Sequence, residues 1–234
     1  MVWVDAQKII FSTFNIESNN GNETIQTYDF GSKKHAYIAY FDDLVDALAY
    51  AWDNARTLYH LVIAPATSAS LQLVTFNGTS GAFVNQFTLS RQDLGNLNCD
   101  PGSGKLYGVS ITDSSNDFVE LDPFTTELTV LGTYPSSYST IENVHAFDPV
   151  TGHYYVMTND ENGVAYLQDL NVRTKQVSQI KIASGDLTSM VYDNSPGGRG
   201  LIAQPYSSGG YAEVNLKTGN TPTFISTMHG IPES

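Results

Sequence analysis

The sequence predicts an all-β fold made of one four-stranded antiparallel unit repeated five times, and three observations carry that expectation. Ile141–Ile182 reads as a complete a–b–c–d meander, two turns and a short link separating four apolar-rich runs. The Asp of its first turn, Asp148, recurs as Asp5, Asp53, Asp100 and Asp193, at spacings of 48, 47, 48 and 45 residues. A second anchor follows each of these after 22 to 24 residues, at Asp29, Asn77, Asp122, Asn171 and Asn215, and three positions further on stand Ser32, Ser80, Thr125, Thr174 and Thr218. An Asp or Asn with Ser or Thr three residues later suits a type I turn, because the short side chain can bond the backbone just ahead of it. Two anchors held in phase five times account for the whole chain with a period of about 47 residues, the mark of a repeat architecture.

Each element follows from that phase. In the reference unit, "NVHAF" enters the turn Asp148-Pro149-Val150-Thr151-Gly152, where Pro presets φ and Gly accepts a positive one. "HYYVMT" is β-branched and aromatic, "VAYLQDL" alternates, the b–c link lies at Asn159–Gly163, and "QVSQIKI" closes the unit after Asn171-Val172-Arg173-Thr174. Repeat one (1–43) runs "MVWV", "KIIFSTFNI", "TIQTYDF", "HAYIAYF"; repeat two (44–90) "DALAYAW", "LYHLVI", "LQLVTF", "AFVNQFTL". The alanines of "LVDALAYAW" also suit a helix, and its phase with the other units decides for strand. Repeat three (91–137) has "LGNLNC", "KLYGVSI", "DFVEL", "ELTVLGTY"; repeat four covers 138–183; repeat five (184–234) has "LTSMVY", "RGLIAQ", "YAEVNL", "TPTFISTM".

Four-stranded meanders at this period are what radial repetition requires, since each sheet buries both faces against its neighbours and leaves only short edges. With its "FDPVTGHYYV" and "LDPFTTELTVL" turns the whole chain resembles a five-bladed β-propeller, a single domain with four strands per blade. Five blades of this length also resemble the tachylectin-2 type of propeller lectin, which implies binding of amino sugars; no binding residue is carried over from it. Closure by side-chain packing of the first and last repeats is expected.

Composition narrows the functions. Net charge is −13 with only 11 Lys and Arg, which argues against nucleic acid and anionic membrane surfaces as partners. Fourteen Tyr and 11 Phe suit sheets packed on sheets. The single cysteine, Cys99, takes the place of Trp52, Phe147 and Tyr192 before the turn Asp, and is expected as a buried packing thiol. There is no 18-residue apolar run and no signal-peptide pattern in this chain, so a soluble, cytoplasmic or similar location is expected. Asn22-Glu23-Thr24 and Asn77-Gly78-Thr79 match the glycosylation sequon.

In such a meander the a–b and c–d turns share one end of the sheet, while the b–c links and the connections to the next unit share the other. The first end holds regular turns and the second the variable loops, where binding is expected. Entering the inner strands there, Asp46, Asp93 and Asp186 lie seven residues before the turn Asp, with Glu142 nearest in repeat four. These carboxylates have three readings: they bond backbone N–H groups at the blade connections, they hold a hard cation such as Ca²⁺ or Mg²⁺, or they shift one another's pKa as general acid and base. No other cofactor is expected. His145, three residues from Glu142 and so on the opposite face of an ideal strand, is expected as a packed histidine. Tyr134, Tyr138 and Tyr206, set among Ser and Gly in "TYPSSYST" and "PYSSGG", are expected as aromatic anchors of a binding loop. The leading expectation is a lectin-like binding module for a glycan or other small polar ligand. The alternatives are a hydrolase or lyase using Asp93, Glu142 and His145, and a protein-interaction scaffold.

Overall fold

The computed structural model describes residues 2–5, 8–15, 22–29, 31–41, 45–65, 68–90, 93–182, 187–193, 198, 200–205, 210–220 and 223–225. Among them there is no helix. Twenty strands run β1 (Val2–Asp5), β2 (Lys8–Asn15), β3 (Asn22–Asp29), β4 (Lys34–Phe41), β5 (Val45–Asp53), β6 (Leu58–Pro65), β7 (Gln72–Asn77), β8 (Phe83–Thr88), β9 (Gly95–Cys99) and β10 (Leu106–Ile111). They continue as β11 (Asn116–Leu121), β12 (Leu128–Tyr134), β13 (Ser139–Asp148), β14 (His153–Asn159), β15 (Ala165–Asn171), β16 (Gln176–Lys181), β17 (Leu187–Asp193), β18 (Gly200–Pro205), β19 (Tyr211–Glu213) and β20 (Thr223–Ile225). They form five four-stranded sheets, each strand hydrogen-bonded to its neighbour in sequence. The alanine-rich segment of repeat two is the strand β5, as its phase required.

The turn chemistry explains why the chain reverses where it does. Asp148 Oδ1 accepts the N–H groups of Val150 at 2.9 Å and Thr151 at 3.3 Å, and Asp100, Asn77, Asp122, Asn171 and Asn215 each bond two backbone N–H groups in the same way. Four residues beyond an anchor the backbone turns left-handed, at Lys33, Thr57, Gly81, Gly104, Thr126, Gly152, Lys175 and Gly219. The N–H of that residue returns to the anchor's carbonyl, as from Gly152 to Asp148 at 2.8 Å and Lys175 to Asn171 at 2.8 Å. Each of these eight hairpins is thus a turn closed by a left-handed residue.

The a–b pair of every sheet carries a register shift, between Trp3 and Asp5, Ala47 and Ala49, Tyr107 and Val109, Thr140 and His145, and Leu187 and Ser189. Such bulges bend a strand and re-aim its side chains. Burial falls from the b and c strands to the d strands: β6 and β14 are almost wholly buried, while β8 and β16 alternate between exposed and half-buried.

The chain divides into two compact units, Met1–Ser110 with Val119–Thr129 and Ile111–Phe118 with Val130–Ser234. The first has a core of Val62, Leu73, Leu94, Leu97, Leu106 and Leu121. In the second, Val144, Tyr155, Met157, Leu167, Leu187 and Leu201 pack together. Cys99 belongs to the first core, and burial raises its thiol pKa, which keeps it inert at neutral pH.

Candidate functional site

The loop end of the second unit is built from short-range hydrogen bonds that leave little slack. Asn116, 2% exposed at the start of β11, donates its carboxamide N–H groups to the carbonyls of Pro135 at 3.0 Å and Tyr138 at 2.7 Å. One side chain therefore fixes the β12–β13 connection. Tyr138 is half-buried, its ring edge-on to Tyr166 at 5.3 Å. The β10–β11 link is tied by Thr112, whose hydroxyl accepts the Ser115 N–H and donates to the Ser115 carbonyl, both at 3.0 Å. In the β14–β15 link Asp160 Oδ1 accepts the N–H groups of Asn162 at 2.9 Å and Val164 at 2.8 Å.

The residues singled out from sequence are placed unevenly. Glu142 is exposed on β13, within the shifted stretch between Thr140 and His145, where five residues of β13 span two of β14. Strict alternation therefore does not relate Glu142 to His145. His145 is half-buried, its ring 6.4 Å from that of Tyr154, and burial lowers its pKa to about 4. Asp93 is exposed before β9 in the first unit, whereas Glu142 belongs to the second. Asp46 lies on β5, and Asp186 and Tyr206 lie outside the described residues. Tyr134 is the last residue of β12 and is 4% exposed. Its hydroxyl pairs with Thr140 and its ring packs on Phe118 at 5.1 Å, so it supports the loop from within where an exposed anchor was expected. The described residues hold no group of three or more His, Cys, Asp or Glu placed to bind a metal ion.

Cations gather at one end of the meanders: Lys33, Lys34, Arg56, Lys105, Arg173, Lys175 and Lys217 stand at the turn ends, with Lys181 as the described exception. Carboxylates stand at both ends, Asp93, Asp113, Glu142, Asp160 and Glu161 at the loop ends and Asp29, Asp53, Asp100, Asp122, Glu127, Asp148 and Asp193 at the turn ends. The turn-end Asp anchors accept hydrogen bonds inside their hairpins, and cations cover some of them: Arg56 Nη1 donates to Asp53 Oδ2 and Lys105 Nζ to Asp122 Oδ2, each at 2.8 Å. The Lys105 ammonium holds the Asp122 carboxyl below its ordinary pKa.

Sequence reasoning missed the turn-end chemistry of the second unit. A groove of about 400 Å³ is lined by Asp148, Val150, Thr151, Tyr192, Asp193 and the nearby glycines Gly198 and Gly200. Burial pushes the Asp148 carboxyl up, but the Thr151 hydroxyl, the Val150 and Thr151 N–H groups and the Tyr192 phenol outweigh it and hold it below the usual range. Tyr192 stacks on Tyr155 at 6.2 Å, and Tyr155 on His153 at 6.0 Å. Asn171 Oδ1 is occupied by two backbone N–H groups, so its Nδ2 donates to His153 Nε2 at 3.0 Å. The other ring nitrogen, Nδ1, faces Asp169 Oδ1 at 2.7 Å, so both ring nitrogens are engaged within the sheet. The alternation of "VAYLQDL" puts Asp169 two residues from Asn171 on one face, a signal that could have found this pair.

No protein-family model matches the chain, and no curated protein matches it in sequence. Similarity to solved structures is extensive. Puromycin hydrolase is 12% identical with a TM-score of 0.64, over 94% of this chain and 36% of that one. The nidogen/laminin complex gives 12% identity and 0.60 over 93% of this chain and 80% of the other, and the Dos1 propeller 10% and 0.56 over 92% and 55%. Oligogalacturonate lyases are similar as well. At such identities the likeness is one of fold: the chain is all-β, of the β-propeller kind.

Proposed function

We propose that the five meanders are the five blades of one propeller and that the chain is a binding module, taking a carbohydrate or another small polar ligand at the loop ends of its blades. The placement of the cations carries this reading: the loop ends present exposed carboxylates with few described cations beside them, while the turn-end carboxylates are bonded inside their hairpins and the turn ends hold most of the described cations. Carboxylates there accept hydrogen bonds from ligand hydroxyls or ammonium groups, and a tyrosine ring offers a face to apolar C–H groups. In repeat four these roles fall to Glu142 and Tyr138, with the loop held by Asn116. Asp93, Asp46 and Asp186 stand one register position from Glu142 in other repeats, and Tyr206 falls in the b–c link of repeat five. A hard cation, Ca²⁺ or Mg²⁺, would draw on these same oxygens.

The test is a glycan-array screen run with Ca²⁺ and with EDTA, followed by calorimetry on Glu142→Gln and Tyr138→Ala. Specific binding weakened on the order of tenfold or more by either substitution is expected, which corresponds to about 1.4 kcal/mol. Loss in EDTA would assign the carboxylates to a cation. Binding left unchanged by both substitutions, or absent from the whole array, would overturn the reading.

A further inference from the structure

We propose that Asn162–Gly163, in the β14–β15 link, is a site of spontaneous deamidation, and that the fold protects the chain's other described Asn–Gly pair, Asn77–Gly78. The reaction needs two things: a side-chain carboxamide free to swing toward the following backbone nitrogen, and a nitrogen that can be deprotonated and move. The two pairs differ in both.

Asn162 is exposed, and among the described residues its carboxamide has no hydrogen-bond partner. Gly163 is exposed too, at φ 73°, with no heavy atom within 4 Å of where a Cβ would stand, so the peptide has room to turn. Its N–H is donated to the Asp160 carbonyl at 2.9 Å, a bond in an exposed loop whose opening costs little. At Asn77 the carboxamide oxygen accepts three hydrogen bonds, from Thr79 N–H at 3.0 Å, Ser80 N–H at 2.8 Å and Ser80 Oγ at 3.0 Å. Gly78 is buried, and its N–H is donated to the Thr57 carbonyl of the adjoining hairpin at 2.9 Å. Attack at Asn77 requires that whole hairpin to come apart.

The chemistry balances with water alone. The deprotonated Gly163 nitrogen attacks Cγ of Asn162, the bond from Cγ to the side-chain nitrogen breaks, and ammonia leaves as a five-membered succinimide closes. Water then opens the ring at either carbonyl, giving Asp or isoaspartate. Either product adds a negative charge beside Asp160 and Glu161, and isoaspartate also lengthens the backbone of the link by one methylene.

The experiment is a time course at mildly alkaline pH with peptide mapping by mass spectrometry, on the native chain and on the chain unfolded in urea. In the native protein deamidation at Asn162 is expected to outrun that at Asn77 on the order of tenfold or more. In urea the two rates should converge, because both residues precede glycine. Asn20–Gly21, outside the described residues, falls in a separate peptide. Asp160→Ala, checked for native circular dichroism, removes the carboxylate that holds the Asn162 and Val164 N–H groups and should accelerate the reaction; Asn162→Gln should abolish it at this position alone. Equal native rates at Asn77 and Asn162, a rate difference that persists in urea, or no acceleration in Asp160→Ala would each overturn the proposal.

Discussion

Left-handed residues close nearly every described hairpin, and their identity is uneven: Gly81, Gly104, Gly152 and Gly219 pay nothing for a positive φ, while Lys33, Thr57, Thr126 and Lys175 do. A side chain in this conformation costs about 1–2 kcal/mol, and glycine returns about 0.5–1 kcal/mol of that through the freer unfolded chain. Thr126→Gly and Lys175→Gly are therefore expected to stabilise the protein by roughly 0.5–1 kcal/mol each, read as a higher urea midpoint. Gly219→Ala is expected to do the reverse, since a Cβ there would stand 1.8 Å from the Lys181 carbonyl oxygen. A lowered midpoint in both glycine variants would show that these turns are not strained. His60 gives the second residue-scale expectation. It is fully buried, its Nδ1 pairs with the Thr75 hydroxyl at 3.0 Å, its Nε2 has no partner among the described residues, and burial lowers its pKa to about 4. The unfolded histidine titrates near 6.5, so between these values the unfolded chain binds the extra proton. Stability is full above about pH 6.5 and falls as pH drops toward 4, by about 3 kcal/mol at most from this group. Denaturation curves across that range should show the slope, to which the likewise depressed His145 adds in the same direction. His60→Leu should reduce the slope to the part that His145 contributes, and an unchanged slope would mean that His60 does not contribute to it.

Asn116 shows how an element can depend on one side chain from another. Its two donated hydrogen bonds hold the β12–β13 connection from the first residue of β11, so Asn116→Ala leaves the carbonyls of Pro135 and Tyr138 without these donors. A destabilisation of about 1–3 kcal/mol is expected, together with faster amide exchange at 135–140; a silent substitution would mean that the connection is held by Tyr134 and its pairing with Thr140. Sequence showed where this connection lay and that it carried tyrosines, but not that Tyr134 turns inward. Residues 128–134 break their alternation at Leu131-Gly132, and a terminal strand residue next to a Pro-Ser-Ser loop reads equally as loop. The relation of Glu142 to His145 was hidden for a similar reason: parity along a strand holds until a bulge, and a bulge is a property of the pair of strands.

At the scale of the whole chain the net charge is −13 and the described cations gather at the turn ends, and the proposed ligand preference follows from the carboxylates that this leaves uncovered at the loop ends. If the ligand carries a positive group, its affinity should fall as salt rises, because the Debye length shrinks from about 10 Å at 0.1 M to about 3 Å at 1 M; a neutral glycan should bind almost independently of salt. Five four-stranded sheets and the order of the strands within each were legible in the sequence, because period-two alternation and Asx turns are local and each repeat states them again. Carboxylate placement was legible only as register. What became of each group depended on packing beyond its own strand, which buries Tyr134, pairs His153 with Asp169 on the neighbouring strand, and brings Tyr192 to the Asp148 carboxylate already bonded within its own turn. A side chain's availability is set by what the other strands leave around it, and that quantity is not written in any one stretch of the chain.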